Sequence, residues 1–227
     1  MSATAPRAAM LRALELAAAG RSGASPNPLV GAVVLDRTGS IVGEGAHRRF
    51  GGPHAEVEAL HQAGGRARGG TLVVTLEPCC HHGKTPPCVD AIVAAGVATV
   101  VAGTRDPSPL VDGGGVAALR AHGVEVVEGV EEAACRRLIR RFAHRQRTGL
   151  PWVTLKVAMT VDGKLAAHGG RRQPITGDAA RRAGLALREE HDAVLVGVGT
   201  VLADDPRLTR RLGLNPEPRV RRAVLDT

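Results

Sequence analysis

Residues 53–56 read Pro53-His54-Ala55-Glu56, and residues 76–88 read Leu76-Glu77-Pro78-Cys79-Cys80-His81-His82-Gly83-Lys84-Thr85-Pro86-Pro87-Cys88. One His and two Cys, each Cys preceded by a Pro, make a donor set suited to zinc, which favours imidazole nitrogen and thiolate sulfur. A catalytic zinc keeps three protein ligands and leaves the fourth position to water; His54, Cys79 and Cys88 meet that count. Glu56 follows His54 by two residues, at the start of the helix expected over residues 54–63, where it can move protons without being a ligand. Thiols at or near a helix N-terminus are also drawn toward the thiolate by free N–H groups and the helix dipole. A second arrangement stays open at this point: a structural zinc knot closed by Cys80 or His82, in which Glu56 has no role.

Outward from these motifs, apolar β-branched runs alternate with helical patterns. Residues 8–19 have helical spacing and stop at Gly20. Ser25-Pro26-Asn27-Pro28 is a turn-rich loop. Residues 29–35 read as a buried strand, with 41–46 as its hairpin partner across Arg37-Thr38-Gly39. Strands are expected at 71–76, 98–102 and 124–127, and helices at 88–95, 116–122 and 131–145, the last long and basic. The segment 79–87 reads as a polar loop. This order implies an α/β/α sandwich around a mostly parallel sheet. Residues 147–151 look like a linker, which divides the chain into 1–146 and 152–227. Beyond the linker the pattern gives a strand at 152–159, a turn at Asp162-Gly163, a helix at 179–190 and strands at 193–198 and 220–227.

His-x-Glu followed by a Pro-Cys pair and a second Cys is the signature of zinc deaminases, in which the Glu is the general acid and base. Here eight residues separate Cys79 and Cys88 instead of two. Asn27 within Ser25-Pro26-Asn27-Pro28-Leu29-Val30-Gly31, the stretch Gly52-Pro53-His54-Ala55-Glu56, and residues 76–88 as quoted resemble the bifunctional riboflavin-biosynthesis deaminase/reductase family. The long loop between the two Cys sets that family apart from cytidine and tRNA-adenosine deaminases. The resemblance runs over nearly all of the first domain and continues past the linker. It implies a cytidine-deaminase-like α/β/α sandwich with one zinc per chain. It also implies hydrolytic release of ammonia from the ring 2-amino group of a 2,5-diamino-6-(5-phosphoribosylamino)pyrimidinone, with Glu56 moving the protons.

The resemblance also implies substrate contacts. Asn27 hydrogen-bonds the ligand at its ribose, His47 and His81 stand at pocket positions, Lys84 meets the phosphate, and Asp106 in Arg105-Asp106-Pro107 lines the pocket. Ser108 stands where the family usually has Asn and has the shorter reach. Each position has a plainer reading: a turn at Asn27 or Asp106, a surface His at 47, a solvated Lys at 84. An alternative within the enzyme class is a deaminase of another nucleotide or of tRNA, against which the long loop and Lys84 argue.

From Trp152 onward the resemblance is to the family's reductase, a dihydrofolate-reductase-like α/β domain that uses NADPH to reduce the ribose to a ribityl chain. It rests on Lys156 to Gly163, Ile175-Thr176-Gly177 and Gly197 to Thr209. By position Ala158, Thr200 and Asp204 meet the cofactor, and Arg188, Leu208 and Arg211 the substrate. Only about the opening third of that domain is present, without the glycine-rich segment that receives the cofactor pyrophosphate. Pro174 and Arg172 replace a Trp and a Ser usual in the family. The expectation is a partial domain that does not reduce.

Composition bounds the remaining classes. Hydrophobic residues make up 44% and aromatic residues 1%, so this is a globular chain with a core of Val, Leu, Ile and Ala. The net charge is +8, carried largely by arginines in 136–147 and 207–222. A basic surface admits a zinc-stabilised nucleic-acid-binding module as an alternative, but single-strand readers stack bases on aromatic side chains. This chain has only Phe50, Phe142 and Trp152. No nucleic-acid partner is expected. No apolar run approaches the roughly 18 residues of a membrane span, and the first residues lack the pattern of a signal peptide. The reading is cytoplasmic, with no membrane partner. Deaminases of this fold commonly associate, so a homo-oligomer is an expectation.

Overall fold

β1 (Gly31–Leu35) and β3 (Thr71–Val74) are buried along their whole length, as apolar strands covered on both faces must be. The computed structural model describes residues 4–21, 23–166, 174–212 and 220–226; Arg172 lies outside them. The chain forms two units, Met1–Trp152 and Val153–Thr227.

In the first unit β1 and β3 sit inside a five-stranded sheet, completed by β2 (Ile41–Ala46), β4 (Thr99–Ala102) and β5 (Glu125–Glu128) in the order β2-β1-β3-β4-β5. β1 runs antiparallel to both β2 and β3, while β3, β4 and β5 are parallel. The sheet is therefore mixed: β2, β3, β4 and β5 share one direction and β1 alone opposes them. The hairpin reverses the chain, and α2 (Ala55–Ala63) carries it back, so β3 starts at the opposite end from β1.

Side chains alternate across this sheet with period two. Ala32, Val34, Leu72, Val74 and Val100 pack with α2, α3 (Cys88–Ala95) and α4 (Gly114–Ala121). Val33, Leu35, Val73 and Val101 pack on the other face with α1 (Thr4–Ala17) and Cys135 of α5 (Glu132–Leu138). This is the expected α/β/α sandwich, and its core is the expected aliphatic one. Helices reach the sheet through glycines. A Cβ on Gly31 would lie 1.9 Å from the Ala13 carbonyl oxygen, and on Gly43 and Gly45 2.1 Å from those of Ala59 and Ala55. Backbone thus lies directly on backbone, without large side chains between.

The expected long basic helix is two: α5, then α6 (Arg140–Thr148). Ile139 between them leaves helical geometry at φ −93° and ψ 8°. The kink keeps Cys135, Ile139 and Ala143 buried while the arginines around them stay at the surface. α6 runs on to Thr148 and ends at Gly149 in the left-handed region, so residues 147 and 148 are helical.

The second unit contains α7 (Asp178–Glu189), β6 (Ala193–Gly197), α8 (Val198–Asp204) and β7 (Arg221–Leu225), with β6 and β7 parallel. The strand expected at 152–159 is not formed. Val153, Leu155, Val157 and Met159 are exposed, and the segment has no strand beside it among the described residues. Alternation alone does not make a strand without a ladder partner. No described helix is long and apolar enough to cross a membrane.

The close approach of α2 to β2 sets a test. Gly45→Ala puts a methyl group against the Ala55 carbonyl, and overpacking of this kind costs about 2 kcal/mol. Urea unfolding is expected to show that loss, with Tm about 5 °C lower.

Candidate metal centre and pocket

The strand directions bring the site residues to one edge of the sheet. Gly31 at the start of β1 pairs with Ala46 at the end of β2, and Ala32 pairs with Val74 at the end of β3. The loop before β1 (Asn27), the residue after β2 (His47), the turn after β3 (Cys79) and the loop after β4 (Asp106) therefore converge. The N-termini of α2 and α3 point to the same place. His54 is the N-cap of α2, Glu56 lies in its first turn, and Cys88 is the first residue of α3.

His54, Cys79 and Cys88 each offer one ligand atom, and these atoms lie within 4.8 Å of one another. His54 Nδ1 stands 3.1 Å from Cys88 Sγ and 3.5 Å from Cys79 Sγ. Zinc–nitrogen and zinc–sulfur bonds of about 2.1 and 2.3 Å at tetrahedral angles place such atoms about 3.6 Å apart, so the donors fit that ion. With Nδ1 turned to the sulfurs, Nε2 is left to donate to Thr85 Oγ1 at 3.3 Å. Ligating imidazoles usually fix their other N–H in this way. Cys80 is not in the cluster; a Cβ on Gly114 would stand 3.0 Å from its sulfur, at the start of α4. His82 is not in the cluster either. The knot closed by Cys80 or His82 is thus not what the fold assembles.

Charge in the cluster is unevenly shared. Hydrogen bonding from Cys88 draws the Cys79 thiol down to about 4 against the cost of burial, helped by His54. Cys88 is pushed upward by its hydrogen bond to Cys79, by burial and by Glu56. His54 is raised by its hydrogen bond to Cys79. Glu56 is 4% exposed, and burial raises its carboxyl above the ordinary range. Two thiolates beside a buried carboxylate need a cation, and the donor chemistry is that of zinc.

A cavity of about 290 Å³ opens over this cluster. Asn27, His47, His81, Lys84 and Asp106 all line it, together with Ser108. His47 is 2% exposed, which excludes a surface role. Its Nδ1–H donates to the Pro53 carbonyl at 2.8 Å, so Nε2 accepts from the Asn27 amide nitrogen at 3.1 Å. Burial lowers its pKa, in keeping with a neutral ring. The Asn27 amide is oriented by this pairing and keeps its oxygen and one N–H for other partners. His81 Nδ1 is buried with no hydrogen-bond partner among the described residues. Asp106 is 7% exposed, and burial lifts its carboxyl to about 6 even though it accepts from Ser108 N–H. The Lys84 ammonium stands 4.1 Å from the centre of the Phe50 ring.

Sequence reasoning missed several contributors. Thr85 is one; a hydroxyl three residues before the second Cys was its only signal. Phe142 and Gln146 of α6 line the cavity, which only the tertiary fold reveals. Glu77 is 3% exposed and accepts hydrogen bonds from three backbone N–H groups; its sequence signal was a carboxylate between a buried strand and Pro78. Many arginines of the first unit are in surface ion pairs, among them Arg7–Glu131, Arg12–Glu44, Arg105–Glu128 and Arg136–Glu132.

In the second unit Arg188, Leu208 and Arg211 come near one another. Arg188 Nη1 donates to the Thr209 carbonyl at 3.4 Å, and Arg211 N donates to Glu189 Oε1 at 3.2 Å. Leu208 is buried in the left-handed region at φ 50°. Ala158 lies on the segment that forms no strand, and Thr200 and Asp204 lie on α8. Pro174 is exposed.

Two family models match in chain order: the cytidine and deoxycytidylate deaminase zinc-binding region over residues 4–104, and the RibD C-terminal domain over residues 151–227. Riboflavin biosynthesis protein RibD of Escherichia coli (strain K12) is 50% identical over 202 residues, which is 89% of this chain and 55% of that protein. The RibD of Bacillus amyloliquefaciens is 47% identical over 218 residues, 96% of this chain and 58% of that protein. Among solved structures, a diaminohydroxyphosphoribosylaminopyrimidine deaminase/5-amino-6-(5-phosphoribosylamino)uracil reductase from Thermotoga maritima superposes with a TM-score of 0.91 at 48% identity. It is matched over 98% of this chain and 63% of its own. The chain thus spans between 55% and 63% of the length of these relatives. With both regions matched in order, and about half of the aligned residues shared with RibD proteins over most of its length, the chain belongs to the RibD deaminase/reductase family.

Proposed function

We propose that residues 1–146 act as a zinc-dependent aminohydrolase of riboflavin biosynthesis. The substrate is 2,5-diamino-6-(5-phosphoribosylamino)pyrimidin-4(3H)-one, and the products are 5-amino-6-(5-phosphoribosylamino)uracil and ammonia. The observation that carries this reading is a buried Glu56 carboxyl lining the same cavity as His54 and Cys79, two of the three clustered donors suited to zinc. When bound, zinc would bring the pKa of a coordinated water down to near neutral and so supply a nucleophile.

The chain's own residues do the rest. Glu56 takes the proton from the attacking water and delivers it to the departing amine; its raised affinity for protons suits a group that holds one between two transfers. Asn27, oriented by His47, offers an acceptor and a donor to the ligand, with the ribose as the partner proposed for it. His81 lines the cavity, and its Nδ1 has no hydrogen-bond partner among the described residues, which suits a polar contact with the ligand. Asp106, shifted to about 6, suits hydrogen bonding to a polar ring edge. Lys84 at the cavity wall supplies the charge for the phosphate. The free cysteines suit a reducing, cytoplasmic compartment. The reading stops at deamination. In the second unit the positions proposed for NADPH, Ala158, Thr200 and Asp204, lie on a segment without strand structure and on a seven-residue helix.

Ammonia release from the phosphorylated diaminopyrimidine tests this reading, with zinc content measured in parallel. Glu56→Gln is expected to keep its zinc and to lose at least about a hundredfold in kcat. No release by a fully zinc-loaded wild type would sink the assignment. Lys84→Ala is expected to raise KM about tenfold for the phosphorylated substrate while leaving KM for the dephosphorylated nucleoside unchanged. An equal rise for both substrates would remove Lys84 from the phosphate.

A further inference from the structure

Glu77 is a buried carboxylate that the proton transfers do not use. Its Oε2 accepts from Asp106 N–H at 3.2 Å and from Gly113 N–H at 3.1 Å, and its Oε1 accepts from Val116 N–H at 3.0 Å. Its own N–H donates to the Thr104 carbonyl at 2.9 Å. One side chain thus ties both ends of the loop between β4 and α4, and the first turn of α4, to the residue two before Cys79. The N–H groups of a first helical turn have no partner within the helix, and a carboxylate is an acceptor at both oxygens. A Cβ on Gly115 would lie 1.9 Å from the Pro78 carbonyl oxygen, so α4 sits against the Glu77-Pro78-Cys79 turn with no space between them.

We propose that Glu77 is a positioning residue that holds Asp106 in register with the metal-ligand turn and thereby governs substrate binding, not the chemical step. The inference rests on Asp106 being a substrate contact in the proposed deamination. Asp106 follows Glu77 through its backbone N–H and fixes its own carboxyl by accepting from Ser108 N–H at 2.8 Å. Cys79 has separate supports, since its sulfur accepts from Cys88 N–H at 3.3 Å and stands beside His54. Losing the Glu77 carboxylate therefore frees the Asp106 loop before it frees the metal ligands. Glutamine has the same length, but its amide nitrogen cannot accept, so at least one of the three N–H groups loses its partner.

The test uses the full zinc-loaded chain. In Glu77→Gln, hydrogen exchange is expected to quicken at the Asp106, Gly113 and Val116 amides while α2 and α3 exchange as in wild type. Zinc content stays full, KM rises about tenfold and kcat stays within about twofold. In an Asp106→Asn background the same substitution is expected to raise KM less than about twofold further, because both changes act through one contact. Unchanged exchange at those amides, a fall in kcat with KM unchanged, or KM effects that simply multiply would each overturn the proposal. Glu77→Asp, too short to reach all three donors, is expected to repeat the pattern. Failure of both variants to fold would replace positioning with a purely structural role. A wild type that releases no ammonia sinks the deaminase reading instead, and the exchange pattern then still decides whether Glu77 holds the Asp106 loop.

Discussion

Two thiols, an imidazole and a carboxyl meet in one partly buried space, and their full negative charge is tolerable there only beside a cation. A buried charge without a partner is too costly to persist. Much of the first unit serves to bring these groups together. The start of α2 delivers His54 and Glu56, α3 delivers Cys88, and the turn after β3 delivers Cys79. The glycines of β2 let α2 lie close enough to do so.

The parts of this site that sequence could reveal are those with short-range chemistry. His54, Glu56, Cys79 and Cys88 occupy two short stretches, and zinc limits the residue types that can be there. α3 spans Cys88–Ala95 as expected, and Gly96 after it adopts the left-handed conformation such a stop needs. β2 spans the residues its hairpin pattern marked. What stayed hidden depends on contacts distant in sequence. The direction of β3 relative to β1 follows from the path of the chain through α2, which alternation of apolar residues does not encode. The break at Ile139 reflects a buried stripe turning with the body of the unit. Residues 152–159 show the opposite failure, since their pattern reads as a strand where no ladder partner stands among the described residues.

The pocket walls depend on the same distinction. His47 looked as much like a surface residue as a ligand contact, and only its burial between the Pro53 carbonyl and Asn27 settles how the Asn27 amide is turned. Phe142 and Gln146 enter the cavity from a helix more than fifty residues beyond the second cysteine. No local motif announces them. The net charge admitted a polyanion partner, yet Arg7, Arg12 and Arg105 of the first unit, and Arg136 of its basic stretch, are paired with glutamates at the surface. Such exposed pairs contribute little to stability, but they lower the net field the surface presents.

The chain has no tyrosine and one tryptophan. Trp152 lies edge-on to His144, with ring centres 5.6 Å apart, and the Arg140 guanidinium stands 5.5 Å from its ring. Both neighbours belong to α6, the helix that carries Phe142 and Gln146 into the cavity. The chain therefore has a single indole, and it packs on the helix that supplies part of a cavity wall. Its emission reports the environment of that helix without interference from a second indole, so titrating a ligand into the cavity can be followed by light without a label.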